Sequence, residues 1–130
     1  MLASKIYNGL NAVLYAVYGA IGALVPTVAL NANALEIVNV HGSHSIRALW
    51  GAILVLGLLI AFKGFSGKTA RTTTLMIALV SAGLVVARIL GVVLDGTSGM
   101  ESDQFGPLVI ELTMTIVGLV IYRMTKSRFD

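Results

Sequence analysis

Arg47, Arg88, Asp95 and Glu111 are the ionisable residues that stand inside or at the edge of long apolar runs. Two cations and two carboxylates can pair with one another, hold an anion, or exchange a proton. Ionisable residues at membrane depth commonly mark sites of this kind. No competing set reaches the same standard. His41 and His44 have the HxxH spacing that brings two imidazoles together in a helical turn, but no third ligand is clear and Gly42 weakens a helix there. Gly64, Gly67 and Lys68 lack the spacing of a phosphate-binding loop. The absence of cysteine removes thiol nucleophiles, thiolate zinc sites, cysteine-ligated clusters and disulfides. No Ser-His-Asp order is present, so no catalytic residues, metal or cofactor are expected.

The elements that must position those charges are read from composition. Of 130 residues, 57% are hydrophobic and 12% charged, against about 25% charged in ordinary soluble domains. Four apolar stretches account for this, at 9–30, 46–62, 73–94 and 105–122. Each has the length to cross a hydrocarbon core of about 30 Å as a helix, and helices satisfy their own backbone there. A soluble bundle would show a polar face on each helix. The expected fold class is therefore all-α, a single transmembrane domain over 1–130 forming a four-helix bundle. Lys5, the apolar run and the small residues at 32–34 also resemble a secretory signal. The length of the run and its polar stripe of Asn8, Asn11, Tyr15 and Tyr18 favour a retained helix.

Charge distribution sets an expected orientation. Lys5, Lys63, Lys68, Arg71, Arg123, Lys126 and Arg128 fall on one side of a chain that crosses four times. Glu36, Asp95, Glu101 and Asp103 fall on the other, with Arg47 as the main basic exception. The positive-inside rule then places both termini in the cytoplasm. The net charge of +3 is split among loop ends, which speaks against nucleic acid. Trp50, Lys63, Lys68, Arg71 and Arg123 are the expected contacts with the lipid interface.

Small residues mark candidate helix contacts. Gly83, Ala87 and Gly91 repeat at intervals of four in the third span, and Ala12, Ala16, Gly19 and Ala23 line the first. The neighbour of the third-span ridge, in this chain or another, is left open. In the fourth span Glu111, Thr115, Gly118 and Tyr122 share one face. Asn8, Asn11, Tyr15 and Tyr18 suit interhelical hydrogen bonds or a ligand site. Pro26 is expected to kink or end the first helix.

Antiparallel crossing brings the charges to similar depth. Arg88 lies about 9 Å below the outer end of its span and Glu111 about 6–9 Å deep in the next, at ~1.5 Å per residue. With Arg47 and Asp95 they form an expected outer-leaflet cluster of zero formal charge. Arg88–Glu111 is the expected deep pair and Arg47–Asp95 the interfacial one, with Arg88 bridging Asp95 and Glu111 as the alternative. An unpaired charge at a helix centre costs at least ~2.5–3.5 kcal/mol, and arginine can grip a carboxylate with two bonds. Either a polar clasp or a small polar pocket fits this arrangement.

These segments resemble a known family. "IRALWGAILVLGLLIAF", "ARILGVVLDG" and "LVIELTMTIVGLVIYR" are similar to bacterial four-helix membrane proteins grouped as domain of unknown function 4345. Arg88, Gly91, Asp95 and Gly96, with Arg47, Trp50 and Gly51, carry the resemblance. It implies a four-span membrane protein and no particular activity. Two functions follow as expectations. One is a non-catalytic accessory or assembly subunit with a membrane-protein partner. The other is a homo-oligomeric small-ligand binding protein or proton-coupled carrier using Arg88 and Glu111.

Overall fold

The computed structural model describes residues 1–31, 40–95 and 105–125, all but a few of them helical. Five helices follow in order: α1 Leu2–Leu24, α2 Pro26–Asn31, α3 Val40–Gly64, α4 Ala70–Asp95 and α5 Phe105–Met124. The four long ones overlap the four apolar stretches. The first stretch, expected as one run over 9–30, is instead two helices divided at Val25. Proline after Val25 disfavours the helical region for that residue, and Val25 takes φ −129°, ψ 70°. The chain therefore breaks before Pro26 and restarts with proline in a first turn, where its missing N–H is harmless. α3 begins several residues before the expected start at 46, so Ser45 lies inside the helix and is not its N-cap.

Three helices among the described residues are long and apolar enough to cross a membrane: His44–Gly64, Ala70–Leu94 and Gly106–Met124. α1 is long but is diluted by its polar stripe. Packing is inside-out relative to a water-soluble bundle. Leu58, Phe62, Leu90, Leu94, Val109 and Ile116 are exposed, while Ser4, Asn8, Thr74 and Ser81 are fully buried. A continuous apolar exterior of this kind needs a nonaqueous surround.

The bundle is built as two helix pairs. α1 packs closely on α3, and α4 on α5. Glycines permit the first approach. A Cβ on Gly19 would collide with the backbone of Leu54, and one on Gly57 with the backbone of Ala16. Without side chains at these crossings the two backbones come close enough for extensive dispersion contact.

The pairs are tied together at the end bearing the chain's N-terminus. Asn8 Nδ2 donates to the carbonyls of Gly64 (3.0 Å) and Ala70 (2.9 Å). Thr74 donates its hydroxyl hydrogen to Asn8 Oδ1 at 2.9 Å. Ser4 and Thr125 share a hydrogen bond of 3.1 Å between hydroxyls, and Tyr7 donates to the Met114 carbonyl at 2.7 Å. Tyr7, Ala12, Ile60 and Ile77 form the small apolar core beside this layer. In lipid, where burial of apolar surface does little to hold helices together, such polar ties and close packing must do more.

Candidate functional site

Arg88 and Glu111 meet across the α4–α5 pair. Arg88 Nε donates to Glu111 Oε2 at 2.8 Å and Nη2 to Oε1 at 3.0 Å. The two parallel bonds match the planar guanidinium to the planar carboxylate. The side chains are 36% and 13% exposed respectively. Arg88 is thus half-buried, and the charge pair sits at the margin of the bundle interior.

The pair lines a cavity of about 250 Å³ between the two helix pairs. α1 contributes Tyr15 and Tyr18, α3 Trp50 and Ile53, α4 Leu84 and Arg88, and α5 Ile110, Glu111 and Met114. The cavity occurs on the stretch of α1 beyond Tyr7 and Asn8, where the ties between pairs have ended. Leu14, Tyr18, Leu84 and Ile110 also line it and are exposed, so it opens on the apolar exterior. On α4 the residues at 74, 77, 81, 84 and 88 follow one helical face. The first three are buried in the interior and the last two line the cavity.

Trp50, an expected interface contact, turns toward α1 and is half-buried. Its ring packs where a Cβ on Gly22 would stand, and it lies 5.4 Å from the Tyr18 ring at 51°. Gly22 removes the side chain that would block the indole. Trp50 Nε1 is buried and has no hydrogen-bond partner. Arg47 does not join Arg88 and Glu111. Its Nη1 donates to the carbonyls of Ala23 (2.6 Å) and Leu24 (3.0 Å), which are otherwise unpaired at the end of α1. The side chain of Asp95 lies outside the described residues, and with it the expected Arg47–Asp95 pair and the Arg88 bridge.

The other candidates divide similarly. Gly118 is a packing position: a Cβ there would stand 2.5 Å from the Tyr7 hydroxyl and 2.9 Å from Ala78 Cβ. Gly83 and Gly91 have open space where a Cβ would be, and Ala87 is exposed. Among the described residues no helix packs against the α4 ridge, and its small side chains leave it low. Arg71 is half-buried, donates Nε to the Tyr122 carbonyl at 3.3 Å and stacks 4.3 Å from the Tyr122 ring centre. It links α4 to α5 rather than standing only at the headgroups. Lys63, Lys68 and Arg123 are exposed, with Lys63 5.4 Å from the Phe62 ring. His44 is exposed, and the His41 side chain lies outside the described residues. Among the described residues no three potential ligands gather for a metal.

Sequence reasoning missed the glycine interlock of Gly19 with Gly57, the Asn8 tie to the α3–α4 turn, and the cavity itself. Gly19 stood among the noted small residues. Gly57 carried no periodic signal. The cavity depends on where two helix pairs part, which no spacing encodes.

Inside-out packing and three helices among the described residues that are long and apolar enough to cross a membrane mark a multi-pass α-helical membrane protein. The chain belongs to the family described as a domain of unknown function (DUF4345), whose sequence model matches residues 3–122. No curated protein and no solved structure matches the chain.

Proposed function

We propose that this is a non-catalytic, four-span protein of a bacterial plasma membrane that binds a small apolar ligand in the cleft closed by Arg88 and Glu111. The single observation that carries this reading is the 250 Å³ cavity with a two-bond ion pair on its wall and an opening on the apolar exterior. Binding sites are characteristically apolar hollows with a few convergent polar groups. α1 is read as the fourth span, with Lys5 and the turn at 64–69 on the cytoplasmic side. In the proton-coupled version of this function, a proton taken up at a free lone pair of Glu111 removes its negative charge and weakens the two-bond pair with Arg88.

The test is gentle extraction of the native protein, native mass spectrometry and identification of retained small molecules. A stoichiometric ligand lost on filling the cleft with Leu84→Trp supports the reading. A ligand-free protein that takes up no membrane-soluble compound sinks it.

A second reading is favoured by the α4 ridge. Gly83, Ala87 and Gly91 offer a low surface that no helix among the described residues occupies, as an accessory subunit or homo-oligomer would use for a neighbouring helix. Substitution of Gly83 and Gly91 by leucine is expected to abolish any larger assembly while the isolated chain stays folded. An assembly that survives both substitutions removes support for this contact.

A further inference from the structure

We infer that the cleft takes a neutral molecule that accepts hydrogen bonds: a carbonyl, ester or quinone oxygen carried on a hydrocarbon body. The inference rests on the cleft being a binding site and names the chemistry it selects.

The first argument is the balance of donors and acceptors. Arg88 has five N–H donors, and its bonds to Glu111 use Nε and one hydrogen of Nη2. Each Glu111 oxygen accepts one of those bonds and keeps a lone pair, but the three remaining guanidinium hydrogens are the larger unmet set, next to Tyr15 and Tyr18, whose hydroxyls both donate and accept.

Charge argues for a neutral ligand. Arg88 and Glu111 sum to zero, and their two-bond geometry satisfies each by the other. A ligand carboxylate would put a second negative charge beside Glu111 in apolar surroundings, where an uncompensated charge is expensive. A cation would find Glu111, the one carboxylate among the described lining residues, already held by Arg88. A carbonyl oxygen asks for neither change.

Size and access agree. Benzene fills an apolar cavity of about 150 Å³, so 250 Å³ accommodates a six-membered ring with substituents or an ester head with the start of its chain. The remaining hydrocarbon leaves through the opening lined by Leu14, Leu84 and Ile110.

Trp50 is the sole tryptophan of the chain, so its emission reports from the cleft wall. The full-length protein in detergent would be titrated with four probes: decyl-benzoquinone, methyl dodecanoate, dodecanoate and dodecane. Bound stoichiometry would be read in parallel by native mass spectrometry. The expected result is one saturable site for the quinone, the ester or both, with weaker binding of dodecanoate and none of dodecane. The quinone and ester arms separate a ring-headed ligand from an acyl ester. Arg88→Met combined with Glu111→Gln removes the spare donors and the charge pair together. It should weaken the neutral ligand about threefold to tenfold by mass spectrometry, the worth of one hydrogen bond. Glu111→Gln frees the guanidinium and should raise dodecanoate binding about tenfold or more, as a charge-assisted bond does.

Dodecane binding as tightly as the ester overturns the acceptor inference while leaving an apolar binding cleft. Dodecanoate binding more tightly than both neutral carbonyl probes in the unmodified protein overturns the neutral-ligand inference in favour of an anion. Unchanged ester affinity in Arg88→Met/Glu111→Gln removes Arg88 from recognition and overturns the donor assignment. No saturable binding of any probe overturns both the inference and the cleft reading beneath it.

Discussion

Asn8 is fully buried, and its amide joins three chain segments at once: α1, the turn after α3, and the start of α4. Asn8→Ala is expected to lower stability by about 1–3 kcal/mol, because it removes the amide donor from the Gly64 carbonyl, while the Ala70 carbonyl and the Thr74 hydroxyl keep each other. Unfolding in graded detergent mixtures measures this. A loss below about 1 kcal/mol would show that water or another donor replaces the amide. Arg88→Ala should cost less than the 3–5 kcal/mol of breaking a fully buried pair, about 1–3 kcal/mol, since Arg88 is 36% exposed. Because each partner alone is left unmatched, the double variant Arg88→Ala/Glu111→Ala should be less damaged than the sum of the single ones. Additive losses would mean the two side chains act separately. Arg88 and Glu111 were legible from residue type and antiparallel depth. The indole of Trp50 was not: tryptophan near a span end reads as an interface anchor, and only Gly22 opposite it makes the inward seat available.

Among the elements, α1 and α3 are the most closely joined pair, and glycines at their crossing make this possible. Gly19→Leu or Gly57→Leu would drive a side chain into the opposing backbone, and overpacking typically costs about 1–3 kcal/mol, occasionally more. Gly83→Leu meets open space within the chain. It should leave the unfolding transition of the isolated chain within about 0.5 kcal/mol of the parent. Equal destabilisation at positions 19 and 83 would contradict the packing described here. The small-residue repeat in α4 and the less regular one in α1 look alike as strings. They differ in what lies opposite, because a repeat shows that approach is possible without naming the helix that approaches.

For the molecule as a whole, the two helix pairs are fastened at one end and part toward the other. That geometry places the cleft near the half of the bundle that holds Tyr18, Trp50, Arg88 and Glu111. Orientation is testable because the chain has no cysteine. Ser66→Cys, in the turn after α3, should resist an impermeant maleimide added outside intact cells. Ser45→Cys, near the other end of α3, should react. The reverse pattern would invert the proposed topology, and equal labelling would deny that α3 spans the membrane.

The sequence by itself determined that this chain is helical, membrane-directed and grouped into four apolar stretches, because hydropathy and length are additive along a chain. It also determined the break at Pro26, a local steric effect, and the matching depth of Arg88 and Glu111, which follows from rise per residue. Tertiary structure decided which small residues touch, that Arg47 caps α1, that Trp50 turns inward, and that space remains beside the ion pair. Those outcomes depend on the rotation and separation of whole helices. Each is set by many contacts together, so no single spacing in the sequence carries them.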